Sequence, residues 1–156
     1  MHQVKLYLDT SVYGGYFDEE FSETTVSLFT EIWKGSFFIL YSNLITEELN
    51  NAPTNVQQLF NRLPAKHSSV IEVSDEMISL ARQYINEKVV GPTSFADCLH
   101  IAIATIANAD VLISWNFKHI VNFNRIRGYN SINLKEGYKT LEIRSPREFS
   151  TDENKD

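Results

Sequence analysis

The run Val4-Lys5-Leu6-Tyr7-Leu8 ends abruptly at Asp9, with Thr10 and Ser11 behind it, and no other stretch limits the fold so tightly. Val4, Leu6 and Leu8 share one parity, and Tyr7 on the other is also apolar. The segment therefore reads as a strand covered on both faces, as in a parallel sheet with helices above and below. A carboxylate at the carboxyl end of such a strand sits where open α/β sheets place ligands. Withdrawn from bulk water, it needs a metal ion, a basic side chain or the N–H groups of the next turn.

Further strands follow the same pattern: Phe37-Phe38-Ile39-Leu40-Tyr41, residues 69–73, Asp110-Val111-Leu112-Ile113-Ser114, and Leu141-Glu142-Ile143. Between them lie helical segments. Residues 22–33 form an amphipathic stretch that Gly35 ends. Ser42-Asn43 opens a helix through Leu49, and Pro53 opens another that Pro64 stops. Ser74 caps a helix with Asp75 and Glu76 in its first turn. Residues 95–107 are the most apolar helix, and the segment from Ile126 to Leu134 is helical up to Gly137. Gly14-Gly15 reads as a tight turn ahead of the first helix, or as a close backbone approach beside Asp9. Strands alternating with helices predict an α/β fold with a central, mainly parallel sheet of four to five strands. No linker or repeat divides the chain, so one domain over 1–149 is expected, followed by a polar, disordered tail at 150–156.

The bulk numbers exclude several classes. With 156 residues, 43% of them hydrophobic, the chain supports one real core. Its net charge of -6 argues against binding nucleic acid by broad electrostatics. A nuclease stays open, because metal-binding carboxylates themselves add negative charge. Cys98 is the single cysteine, so there is neither a disulfide framework nor a cysteine-based zinc site, and a reducing, cytoplasmic setting is expected. No apolar run approaches the roughly 18 residues of a membrane span.

Three acids come to one edge in this arrangement: Asp9 after the first strand, Glu48 on the helix after the second, and Asp97 in the first turn of the apolar helix. Asn116, just past the fourth strand, can join them. Clustered carboxylates repel unless a cation sits between them, and oxygen-only ligands suit Mg²⁺ or Mn²⁺. Such an ion can promote hydrolysis of a phosphodiester. Three of the four candidates also have a local role to weigh: Asp9 can cap the next turn, Asp97 suits a helix N-terminus without any ligand, and Asn116 can cap a helix. Glu47 is assigned to solvated surface. Asp110 precedes its strand and belongs to the opposite edge. His100, three residues after Asp97, faces either the site or the packed interior. Thr10, Ser114, Lys118 and His119 are candidates for substrate contact, and Arg125 with Arg127 for guiding a polyanion.

Leu8-Asp9-Thr10-Ser11, Ile45-Thr46-Glu47-Glu48-Leu49, Ala96-Asp97-Cys98-Leu99-His100-Ile101-Ala102 and Ala109-Asp110-Val111-Leu112-Ile113-Ser114-Trp115-Asn116 together resemble the ordered motifs of PIN-domain ribonucleases, including VapC toxins of toxin–antitoxin pairs. The resemblance runs over nearly the whole chain. It implies a three-layer α/β/α sandwich, a Mg²⁺ or Mn²⁺ site made by Asp9, Glu48 and Asp97, endonucleolytic cleavage of RNA, a homodimer and a restraining antitoxin. At the fourth acidic place of the family this chain has Asn116, which brings an amide but no charge.

Readings from other classes compete. A PIN-like module could bind RNA or a protein without cleaving, its metal site weakened at Asn116. An aspartyl-nucleophile phosphatase would want a second Asp two residues after the first, where this chain has Ser11. A P-loop enzyme is excluded by the absence of any Gly-x-x-x-x-Gly-Lys-Ser/Thr run.

Overall fold

The computed structural model describes residues 3–153. In chain order the elements are β1 (Lys5–Leu8), α1 (Thr10–Gly15), α2 (Ser22–Trp33), β2 (Phe38–Ser42), α3 (Asn43–Leu49), α4 (Thr54–Asn61), β3 (Ser68–Ile71), α5 (Asp75–Asn86), α6 (Phe95–Ile106), β4 (Val111–Ile113), α7 (Phe123–Lys135), β5 (Glu142–Arg144) and α8 (Pro146–Glu153). The strands form one five-stranded sheet in the order β3-β2-β1-β4-β5, and every pairing is parallel. The opening run is its centre. Leu6, Tyr7 and Leu8 are fully buried, as a strand with neighbours on both sides and helices on both faces must be.

Helices cover the two faces. On one, Tyr13 of α1 meets Phe29 of α2 and Phe60 of α4 edge-on, and Tyr41 of β2 packs against the same Phe60. Toward the other, Tyr7 projects with the opposite parity and its hydroxyl reaches His100 of α6, against which α5 packs. Residues Cys98 through Thr105 of α6 are all buried, which is why this helix is the most apolar. The result is the expected α/β architecture with a helical layer on each side of a parallel sheet.

Helix ends follow local chemistry. Gly35 (φ 81°) and Gly137 (φ 89°) take the left-handed conformation that stops α2 and α7, with Ser36 N–H returning to Glu31 O and Tyr138 N–H to Asn133 O. Ser42 caps α3 and Ser74 caps α5, each hydroxyl accepting from a backbone N–H three residues on.

Two segments differ from the sequence expectation. Gly14 and Gly15 do not make a tight turn; they complete α1, a short helix that starts directly after Asp9. Glycine's low helix propensity masks a helix held by tertiary packing of Val12 and Tyr13. At the other end α8 runs to Glu153 and so takes in residues 150–153 of the expected tail, while 154–156 lie outside the described residues. Phe149 on α8 packs against Phe37, which anchors that helix beside the start of β2.

Candidate active site

The chain runs outward from β1 through β2 to β3, then crosses back to β4 on the other side of β1. The carboxyl ends of β1 and β4 therefore flank the topological switch point, where open α/β sheets form a crevice. Asp9 N–H donates to Ile113 O across this junction, locking the two strand ends together.

Asp9 is 5% exposed, and two hydroxyls hold its Oδ2: Ser114 Oγ at 2.7 Å and Ser11 Oγ at 2.8 Å. Each hydroxyl is aimed by a backbone amide, since Asn116 N–H donates to Ser114 Oγ and Trp115 N–H to Ser11 Oγ. Ser11 is thus an orienting residue, as is Ser114. A substrate-contact role for Ser114 is corrected here: the residue is fully buried and its hydroxyl is already both donor and acceptor.

Thr10 likewise turns inward. Its hydroxyl donates to Glu48 Oε1 rather than facing a ligand. His100 Nε2 lies 2.7 Å from the same Oε1 and 3.8 Å from Asp9 Oδ1, so the histidine stands between two of the three acids. Burial works against the charge on Glu48, but the hydrogen bonds from His100 and Thr10 and the charge of His100 prevail and hold its carboxyl below the usual range. Burial also opposes charge on His100, yet the Glu48 hydrogen bond and the charges of Asp9, Glu48 and Asp97 raise its pKa above the ordinary histidine value.

Asp97, on the first turn of α6, has its pKa raised, first by burial and then by the charge of Asp9, with Glu48 adding to it; His119 and His100 pull the other way. Its Oδ1 accepts from Asn116 Nδ2 at 3.3 Å. The orientation of that amide is fixed by its other end, because Asn116 Oδ1 accepts from the backbone N–H groups of Lys118 (3.2 Å) and His119 (3.0 Å). Asn116 thus serves both roles considered for it: it caps the turn and it reaches the site. It does so as a donor to Asp97, with its oxygen already committed.

Of the other candidates, His119 lies near enough to lower the Asp97 pKa, and Lys118 is exposed on the same turn. Arg125 donates to Val89 O and the Arg127 guanidinium lies 5.6 Å from the Phe123 ring, so both arginines have local contacts of their own. Asp110 is at the opposite edge, where it accepts from Lys5 N–H at the start of β1.

Among the described residues, no three His, Cys, Asp or Glu side chains form a group that could hold a metal ion as placed. The donor chemistry fits one nonetheless. Asp9 Oδ1, Glu48 Oε2 and Asp97 Oδ2 accept no hydrogen bond within the described residues, so each acid is tethered by one oxygen and keeps the other open. The tethers differ in strength: Asp9 and Glu48 have two each, Asp97 a single long one. Of the three, Asp97 is the least restrained. Its raised pKa registers burial first and then the charge of Asp9, and a cation would favour the ionised form against both.

Sequence reasoning named Asp9, Glu48, Asp97 and Asn116 and left His100 undecided between site and core. It missed Tyr7 and Ser42. Tyr7 OH bonds both Ser42 Oγ (2.8 Å) and His100 Nδ1 (2.7 Å), behind the ring that holds Glu48. The available signals were the three-residue spacing of Asp97 and His100 and the inward parity of a polar-tipped Tyr7.

No family model matches the sequence, and no curated protein matches it either. Solved structures do. A chain of the VapBC2 complex from Rickettsia felis bound to a DNA fragment from its promoter superposes with TM-score 0.57 at 16% identity, over 91% of this chain and 98% of that one. A chain of DNA-bound VapBC from Salmonella typhimurium does so with TM-score 0.51 at 13% identity, over 92% and 99%. At such identities the likeness is one of fold.

Proposed function

From a PIN-like fold shared with chains of two VapBC complexes, we propose that this protein is a Mg²⁺- or Mn²⁺-dependent endoribonuclease and the toxin of a toxin–antitoxin pair. The observation that carries the reading is that Asp9, Glu48 and Asp97, which the fold supplies from the carboxyl-end side of the sheet, each keep one carboxylate oxygen without a hydrogen-bond partner among the described residues.

Asp9, Glu48 and Asp97 would hold the ion. When bound, a divalent ion supplies Lewis acidity toward a phosphoryl oxygen and toward water. The chain's own groups do the rest. Ser11 and Ser114 keep the Asp9 carboxylate in one rotamer, and Thr10 and His100 do the same for Glu48. Asn116 tethers the Asp97 carboxylate by one oxygen. Lys118 and His119, on the turn after β4 whose Asn116 bonds both their backbone N–H groups and Asp97, are proposed to meet the phosphate of the RNA. An antitoxin partner is proposed because the two neighbours described above are chains of VapBC complexes. A homodimer is proposed from the family resemblance alone.

A direct test is cleavage of single-stranded RNA with Mg²⁺ or Mn²⁺, with EDTA as control. Asp9→Asn and Asp97→Asn are expected to lower the rate on the order of 10²–10³-fold while leaving the fold intact. Full metal-dependent activity in either variant would refute the assignment.

The neutral Asn116 and the unassembled acid set favour a second reading, a PIN-like module that binds RNA or protein without cleaving. RNA binding with no uptake of Mn²⁺ at millimolar concentration would select it.

A further inference from the structure

His100 is a costly residue where it stands. It is 1% exposed, on a helix whose neighbouring positions are Leu, Ile, Ala and Cys, and an aliphatic side chain could fill the space without desolvating two ring nitrogens. Both nitrogens are satisfied, by groups from two other elements. Nε2 bonds Glu48 Oε1 on α3, and Nδ1 bonds Tyr7 OH on β1. Behind Tyr7, Ser42 Oγ bonds the phenol and also accepts from Ile45 N–H, the capping bond of the helix that carries Glu48. One hydroxyl therefore fixes both the start of α3 and the far end of the polar chain reaching its acid. The arrangement holds in either charge state of the ring. A neutral ring accepts the Tyr7 proton at Nδ1 and a charged ring donates its own, and both leave Nε2–H on Glu48.

Glu48 needs such help. Its side chain is 31% exposed on the last turn of a short helix, and a free glutamate there would spread over its rotamers into solvent. With Oε1 taken by His100 and Thr10, Oε2 is the oxygen left without a partner among the described residues.

We propose that His100, backed by Tyr7 and Ser42, is the positioning residue for Glu48: it holds the glutamate by one oxygen so that the other is presented to the divalent ion, and it thereby sets the affinity of the site for that ion. This rests on the metal-dependent reading above and adds to it a residue that touches neither the ion nor the RNA.

The test is Mn²⁺ titration of the ion-free full-length protein by calorimetry, with circular dichroism to confirm folding. His100→Ala is expected to weaken Mn²⁺ binding about 10–100-fold, the range for loss of a group that orients a metal ligand. His100→Gln, whose amide N–H can replace Nε2–H, is expected to stay within about 3-fold of the native protein. In a Glu48→Ala background, His100→Ala should change the affinity no further, since it acts only through Glu48. Should His100→Ala fail to fold, Tyr7→Phe removes only the hydroxyl behind the ring and is expected to weaken binding about 3–10-fold.

Native-like Mn²⁺ affinity in a folded His100→Ala, equal weakness of the Ala and Gln variants, or, where Tyr7→Phe must stand in, unchanged affinity in that variant would overturn the positioning role while leaving the metal site standing. Absence of Mn²⁺ uptake by the native protein would overturn both.

Discussion

Asp97 is the carboxylate least at ease in its surroundings. Burial and the charges of Asp9 and Glu48 raise its pKa, against the opposing pull of His119 and His100. The folded state therefore binds this proton more tightly than the unfolded chain. Stability is lost as pH rises from the unfolded value, about 3.9, through the raised folded one, and the full penalty stands above both. Asp97→Asn keeps an oxygen for the Asn116 donor and removes the charge. In EDTA it is expected to match the native protein at the acid end and to melt higher toward neutral pH, by about 1–3 °C once solvent screening of a half-buried group is allowed for. Saturating Mn²⁺ should remove or reverse that gain, because the native acid would then be paired. Melting curves across pH, with and without Mn²⁺, check both halves. A variant less stable than the native protein at neutral pH in EDTA would show that Asp97 is not strained by its neighbours.

At the level of elements, the adjacent glycines of α1 separate local propensity from packing. A Cβ on Gly14 would meet nothing within 4 Å, so Gly14→Ala is expected to stabilise the protein by about 0.5–1 kcal/mol through helix propensity and reduced chain entropy. A Cβ on Gly15 would stand 2.7 Å from Cδ1 and Nε1 of Trp115. That indole cannot easily move: it is 5% exposed, stacks on Phe21 at 4.1 Å and donates to Thr25 Oγ1. Gly15→Ala is expected to cost about 1–3 kcal/mol. The Trp115 backbone N–H donates to Ser11 Oγ, which holds Asp9, so a substitution that shifts Trp115 should also lower activity. Denaturant unfolding of the two variants decides the matter, and equal effects would contradict the close approach. The glycine pair was legible as a special site, but its two residues have unrelated reasons, and only the placement of Trp115, a hundred residues on, tells them apart.

For the whole molecule, a net charge of -6 leaves no general attraction for a polyanion. RNA affinity is therefore expected to depend on the divalent ion, falling at least about 10-fold when EDTA replaces Mg²⁺ at fixed ionic strength. Binding of the native protein to a hydrolysis-resistant RNA analogue, measured in both buffers, checks this; equal affinity in the two would place the RNA elsewhere than at the acids. Among the described residues no helix is long and apolar enough to cross a membrane. The alternation of apolar strands and amphipathic helices already specified a parallel α/β sheet, because period-two and period-3.6 patterns follow from backbone geometry and burial alone. The Asp9 carboxylate was legible for the same reason, since a strand's end is visible where its apolar run stops. What the linear chain did not contain was the hydrogen-bond partnership of each acid. Whether Ser114 meets substrate or Asp9, whether Asn116 offers its oxygen or its amide, and whether His100 is core or site depend on contacts between residues up to 105 positions apart. Those contacts are made only when β4 crosses back beside β1 and α6 is laid on the sheet, so tertiary structure decided them.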